Sequence, residues 1–366
     1  MKSFGAKDVA GFDNSYYIQL ALDSGYDLDG ENLEYEVGGE LRMSNTSELS
    51  NVTFIDNGKN EIPFSFKIYD RKHLKLKSIK IDRGNNPTVG SVSSSRTLSV
   101  INGDDIQMDD IFITGHGIGT AISFIDVQNA TLTNANIQDM GWTNQNHNKE
   151  QLFGIWFQRV KNVQITNTTI KDLYEIQTDG NKRFVETDGI TFSHSSSFKI
   201  KDSYIENVSE GIDLTGSDGN TGFELTNVQV RNANAFGIKM ANSAYNGNIY
   251  NCNVYDAGYA GFVFSGPSEP NLPYKIRDIG VYNCNAYNSG SNKNWENYSV
   301  SGFLILEGAY DKNQYPMDIR FYNCTSTDNQ NTATTKFGFF NQVQNTGNRV
   351  SNVDSFGHTI EGARGF

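Results

Sequence analysis

The sequence predicts an all-β chain, a parallel β-solenoid with a short capping helix near its N-terminus. Three observations predict it. One segment pattern recurs from residue 129 to residue 329, its apolar residues alternate with period two, and a glycine opens the second run of each repeat.

The repeat emerges when NATLTNANIQDM (129–140), NVQITNTTIKDL (162–173), SFKIKDSYIENV (197–208) and GFELTNVQVRNA (222–233) are laid over one another. It continues in GNIYNCNVYDA (247–257), DIGVYNCNAYNS (278–289) and DIRFYNCTSTDN (318–329). A run beginning at glycine follows each: GIWF (154–157), GITF (189–192), GIDL (211–214), GIKM (237–240), GFVF (261–264), GFLI (302–305) and GFFN (338–341). Alternation sends successive side chains to opposite faces of a strand. The glycines at 189, 211, 237 and 261 are 22, 26 and 24 residues apart. That length suits one coil of two or three short strands stacked on the next. The wider interval from Gly154 to Gly189 leaves room for a coil and an inserted loop of roughly ten residues. Propeller blades, with four antiparallel strands each, need longer repeats.

The other elements follow in order. SYYIQLALDSG (15–25) has helical spacing of Ile18, Leu20, Ala21 and Leu22, with Asp13, Asn14 or Ser15 placed to cap it. A solenoid needs such a cap, because its terminal coil is an unpaired edge. The expected organisation is a cap over residues 1–30 and one continuous β-helix over 31–366, with irregular first coils between Leu33 and Val100. At one point of each coil stands Asn134, Asn167, Asp202, Asn227, Asn251, Asn283 or Asn323. Asn and Asp accept the left-handed conformation of a sharp bend, and stacked side chains of this kind can hydrogen-bond along the axis. Cys252, Cys284 and Cys324 each follow that asparagine in YNC. Without CxxC pairs or neighbouring histidines they read as a reduced, buried stack and not as a zinc site. GHGIGT (115–120) lacks the strand–loop–helix setting of a phosphate loop and reads as a solenoid turn.

Composition narrows the partners. Thirty Lys+Arg against 42 Asp+Glu give a formal charge of -12 and a sequence pI near 4.9. Nucleic acid and anionic membranes are therefore not expected partners. No apolar run reaches the ~18–20 residues of a membrane span. No basic-then-apolar leader opens the chain, so an exported form is expected to leave the cell without a visible signal.

FGAKDVAGFDNSYYIQLALDSG resembles the opening of the pectate-lyase-like β-helix family of bacteriophage tailspikes and polysaccharide-degrading enzymes. Phe4, Gly5, Ala6, Lys7, Asp13, Ile18, Gln19, Ala21 and Leu22 carry the resemblance. Asp8-Val9-Ala10-Gly11 stands where that family has Gly-Asp-Gly, a local departure. The resemblance implies a right-handed single-stranded parallel β-helix and a homotrimer that binds and cleaves capsular or exopolysaccharide. It implies placement in a virion tail, or otherwise secretion by a bacterium. The head and trimerisation domains usual in tailspikes are not visible here, as expected for a trimmed catalytic core or a minimal natural form.

Candidate chemistry centres on acids beside the strand glycines. FVETDGITF (184–192) sets Glu186 and Asp188 ahead of Gly189, and VSEGIDLTG (208–216) sets Glu210 and Asp213 around Gly211. Equivalent positions on adjacent coils lie ~4.8 Å apart, so Asp188 and Glu210 are expected to be neighbours. Alternation predicts an outward stripe of Trp156, Thr191, Asp213 and Lys239, edged by those two acids. Glycoside hydrolysis needs such a pair, about 5–5.5 Å apart for retention and ~6.5–9.5 Å for inversion. Crowded acids also raise one another's pKa, keeping one protonated near neutrality. Trp156 would offer a flat face to a sugar ring. The insertions MGWTNQNHNKEQLF (140–153) and LYEIQTDGNKRF (173–184), with Tyr174 and Arg183, would wall a groove. The competing structural reading makes the acids solvated turn residues or a salt-bridge network with Lys239 and Arg183.

Three functions fit. The first is an endo-glycosidase using Glu186, Asp188, Glu210 and Asp213, with Trp156, Tyr174, Arg183, Thr191 and Lys239 contacting substrate. The second is a polysaccharide lyase or epimerase whose base would be Lys239, His194 or Tyr174. The third is an adhesin that grips glycan without cleaving it. An acidic groove suits a polyanion poorly unless a metal intervenes, and no dense calcium loop is visible, so hydrolysis without metal or cofactor leads.

Overall fold

The structure, a computed structural model, describes residues 1–59, 64–84, 96–116, 119–143, 151–176, 181–184, 187–216, 219–266, 276–292, 299–307, 316–343 and 346–366, with the side chains at 142, 143 and 361 left aside. The chain forms two compact units, Met1–Thr187 and Asp188–Phe366. In both, short strands pair in parallel with their equivalents one coil later. The architecture is a parallel β-helix. No helix among the described residues is long and apolar enough to cross a membrane.

The first unit opens with the helix Ser15–Asp23, which buries Ile18, Ala21 and Leu22. Asn14 is the N-cap residue, yet its side chain turns back to the chain before it, bonding the Lys7 and Phe12 backbone. Asp13 instead accepts from the Ser15 amide at 2.9 Å. Gln19 meets the strand Glu40–Met43: its amide donates to the Arg42 carbonyl at 2.8 Å and accepts from the Arg42 N–H at 2.9 Å. The side chain thus satisfies an edge as a further strand would. Regular pairing begins at Leu28–Val37, earlier and more orderly than the sequence suggests, with one irregularity between Asp29 and Leu33.

The second unit stacks Thr187–Ser193, Tyr204–Thr215, Gln229–Ala241, Ala260–Ser265, Ser301–Leu306, Phe337–Asn341 and Ile360–Arg364 in order. Inside, Phe262, Phe303 and Phe339 stack with centroids 4.7 and 4.6 Å apart, close to the ~4.8 Å rise between strands. Tyr204–Thr215 and Gln229–Ala241 each run unbroken around a corner that the sequence divides in two. A register shift between Val208 and Glu210 marks that bend. Gly211 sits just beyond it, where a Cβ would lie 2.4 Å from the Gly237 carbonyl oxygen and 2.5 Å from Val230 Cγ1. Only hydrogen fits.

The seven ladder residues all adopt φ of 50–56°, the left-handed bend expected of them. Axial bonds join several of them: Asn167 donates to Asn134 at 2.5 Å, Asn227 to Asp202 at 2.8 Å and Asn283 to Asn251 at 3.3 Å. Cys252, Cys284 and Cys324 are buried and unlinked, and the Cys252 amide donates to Cys284 Sγ at 3.4 Å.

Candidate active site

Three successive coils of the second unit supply the site. Parallel pairing sets Asp188 against Glu210, and Thr191 against Asp213, which in turn lies against Lys239. The sequence register holds at every one of these positions. One oxygen from each of Asp188, Glu210 and Asp213 lies within 4.8 Å of the others. At that distance the three carboxyl groups and the neighbouring ammonium act directly on one another.

Depth differs from the sequence expectation. Thr191 and Asp213 do not form an open surface stripe: Asp188, Thr191 and Asp213 are 1%, 3% and 4% exposed. Further along the same row the equivalent positions are Val263, Leu304 and Phe340. These pack with Tyr259, Ala260 and Val300, so in the later coils the outward face is covered by residues at and just before the strand starts. Glu210 and Lys239 retain 15% and 19% side-chain exposure. Asp188 and Asp213 therefore make a floor, and Glu210 with Lys239 a lip.

Lys239 holds the cluster together. Its Nζ donates to Glu210 Oε2 at 2.6 Å and lies 3.4 Å from Asp213 Oδ2, and it stands 5.6 Å from the centre of the Phe236 ring. Burial opposes its charge, yet Asp213, Glu210 and Asp188 together hold the ammonium above the usual lysine range. Burial is also the largest influence on Asp213 and pushes its carboxyl up to about 7; Lys239 opposes the rise and Glu210 adds to it. Asp213 Oδ1 is buried without a hydrogen-bond partner. The Thr191 hydroxyl donates to Asp188 Oδ2 at 3.3 Å. Three carboxylates could also ligate a hard cation, but here the chain's own ammonium stands on two of them.

The remaining candidates are placed as follows. Glu186 lies outside the described residues. His194 forms a left-handed turn at φ 57°, its Nδ1 2.5 Å from Ser193 Oγ. Trp156, Tyr174 and Arg183 belong to the first unit, each engaged with neighbours there. Phe153 stacks on Trp156 at 5.7 Å, and the Arg96 guanidinium lies 4.8 Å from the same ring centre. Arg183 Nε donates to the buried Glu175 at 2.8 Å, across the hairpin formed by Thr169–Ile176 and Lys182–Arg183. Arg183 is thus committed to Glu175.

Tyr174 belongs to a polar cluster that sequence reasoning missed. Its hydroxyl donates to Asp139 Oδ1 at 2.7 Å and lies 3.1 Å from His116 Nε2, and Lys182 reaches the same Asp139 oxygen at 3.0 Å. With its only proton directed at Asp139, the tyrosine accepts from His116 Nε2–H. Burial, then Asp139, push the Tyr174 hydroxyl upward, and burial pushes His116 downward. The signal was present in the register: His116, Gly141 and Tyr174 are equivalent on successive coils, and the missing side chain at Gly141 lets the outer two meet.

No family model and no curated protein matches the chain. Solved structures do. The family 28 exopolygalacturonase of Yersinia enterocolitica is 12% identical with a TM-score of 0.62, covering 97% of this chain and 77% of that one. The catalytic domain of a GH87 α-1,3-glucanase in complex with nigerose is 10% identical with a TM-score of 0.66, covering 98% of this chain and 65% of that one. The surface protein and adhesin PfbA of Streptococcus pneumoniae is 13% identical with a TM-score of 0.57, covering 99% and 98%. At such identities the likeness concerns the fold alone, and the fold is that of the right-handed parallel β-helices.

Proposed function

We propose that the chain is a glycoside hydrolase acting on a polysaccharide, with its chemistry at Asp188, Glu210 and Asp213. One observation carries this reading: three carboxylates from adjacent coils converge within 4.8 Å, and one of them, Asp213, holds its proton up to about pH 7. A buried acid that is still protonated near neutrality can protonate a leaving glycosidic oxygen. Glu210 and Asp188 then serve as the basic partners, one activating water or attacking the anomeric carbon. Lys239 orients Glu210 and balances its charge. The finer proposal, a tailspike-type depolymerase that works as a homotrimer on bacterial capsular or exopolysaccharide from a virion tail, rests on the N-terminal resemblance.

The experiment follows reducing ends and ultraviolet absorbance together on a panel of bacterial capsular polysaccharides. New reducing ends without absorbance are expected. Glu210→Gln, Asp213→Asn and Asp188→Asn are each expected to lower kcat by about 10²–10⁴-fold with the fold retained. Absorbance rising in step would mean β-elimination and transfer the chemistry to a base. Wild-type rates in all three variants would remove the cluster from catalysis. The same preparation's sedimentation mass decides between one chain and three.

A second reading, a glycan-gripping adhesin, draws on the near-complete burial of Asp188 and Asp213 and on an ion pair that already satisfies Lys239. It expects binding by the wild type with no new reducing ends from any polymer.

A further inference from the structure

The first unit carries two open hollows that the carboxylate chemistry does not use. Both lie across the neighbouring strands Lys72–Asp82, Asp104–His116 and Gln128–Thr133. One, of about 430 Å³, is lined by Asp70, Lys72, Asp104, Asp126 and Gln128. The other, of about 360 Å³, is lined by Glu48, Lys75, Lys77, Gln107, Asp109 and Thr131. Either is large enough for a small ligand. A ridge separates them. His73, Asp105 and Asn129 take left-handed φ of 58°, 53° and 52°, and His73 Nδ1 lies 2.7 Å from Asp105 Oδ2. Axial asparagines already fix most of the acids: Asn102 donates to Asp70 at 3.1 Å, Asn129 to Asp104 at 2.8 Å and Asn134 to Asp109 at 2.7 Å. Each carboxylate keeps acceptor sites beyond that bond. Lys72, Lys75 and Lys77 are exposed and form no ion pair among the described residues.

We infer that the two hollows form one binding trough for a glycan, seating consecutive sugar rings on either side of the ridge. The lining interleaves acceptors with ammonium and amide donors, and a ligand rich in hydroxyl groups can serve both kinds at once. A lipid or an apolar peptide face finds no dry wall, since Leu76 and Met108 beneath the second hollow are each 1% exposed. A nucleic acid meets an acid beside every lysine, because Lys72 pairs with Asp104, Lys75 with Glu48 and Lys77 with Asp109. Two hollows of similar size on the same strands suit a repeating polymer. Lys72 and Lys77 stand five residues apart, at most ~17 Å of strand, the reach of a short run of linked rings. The inference goes beyond the hydrolase reading and stands without it: it concerns binding in the first unit, and the carboxylate cluster belongs to the second.

The test is an array of mono- to hexasaccharides from bacterial capsules, plant cell walls and glucans. It is probed with the full chain carrying Glu210→Gln, so that bound sugar is not cut. Retention is expected on oligosaccharides and not on monosaccharides. Titration calorimetry with the best-retained hexasaccharide then compares variants whose fold is checked by circular dichroism. Lys72→Ala with Gln128→Ala, and Lys75→Ala with Gln107→Ala, remove exposed side chains from one hollow each. Either pair is expected to raise Kd about tenfold, as the loss of one or two hydrogen bonds does. Thr131→Trp fills the second hollow from an exposed position and should weaken binding at least as much. Silence across the array, equal retention of monosaccharides, or an unchanged Kd in all three variants would overturn the inference. The release of reducing ends by the wild type, measured separately, judges the hydrolase reading, which none of these results decides.

Discussion

Asp213 keeps one oxygen toward the Lys239 ammonium and leaves the other without a hydrogen bond, and that asymmetry has a consequence for stability. Its carboxyl titrates at about 7 in the folded chain against an ordinary value of 3.8. Between those values the folded chain holds a proton that the unfolded chain has released. The unfolded state then binds fewer protons, and stability falls as pH rises through the window. Lys239 contributes evenly across it, because its folded value is raised and the whole window lies far below its ordinary 10.5. Asp213→Asn should remove the decline, so its margin over the wild type in urea midpoint grows from about pH 4 to about pH 8. A margin independent of pH would count against Asp213 as the protonated acid. Arg83 is a second buried charge, 1% exposed, with Nη1 on Thr97 Oγ1 at 2.7 Å and both Nε and Nη2 unpartnered. Burial pushes it down to about 10. Arg83→Met should raise stability at neutral pH by about 1–3 kcal/mol, read from urea unfolding, since it removes unsatisfied buried donors. A loss of stability would mean that the guanidinium has partners in solution.

Among the elements, the helix Ser15–Asp23 works through one amide. Gln19→Ala deletes both bonds to the Arg42 backbone and should cost about 1–2 kcal/mol by thermal or urea unfolding, with greater self-association through the uncovered strand edge. Unchanged stability would make the helix a passenger. The strands themselves were legible because period and spacing encode them directly. Asn134, Asn167, Asp202, Asn227, Asn251 and Asn283 were recognised as bends, but a second left-handed position five residues later was overlooked: Asp139, Asp172, Asn207, Asn232, Asp256 and Asn288. It too forms axial bonds, as from Asn232 to Asn207 at 3.1 Å. The constant five-residue offset was present in the sequence. Strand alternation drew attention away from it, because these residues bend a strand without ending it.

For the molecule as a whole, the sequence specified lateral position and left depth open. Register placed Asp188 beside Glu210, and Thr191, Asp213 and Lys239 in one row, because parallel coils repeat with little slippage. Burial was not legible, since alternation reports which face a side chain leaves and not what later covers that face. In the later coils Tyr259 and Val300, both in connections, cover Val263 and Leu304 in this way. Arg183 shows the same limit: its partner Glu175 follows from a hairpin inside an insertion, where no repeat constrains geometry. The row Thr191, Asp213, Lys239, Val263, Leu304 also bears on descent. Every coil offers an equivalent address about 4.8 Å from the last, so single-codon changes could shift the reactive centre along the axis, or erase it and begin another, with the backbone unaltered. Lineages built on this scaffold can therefore exchange one substrate for another without passing through an unfolded ancestor.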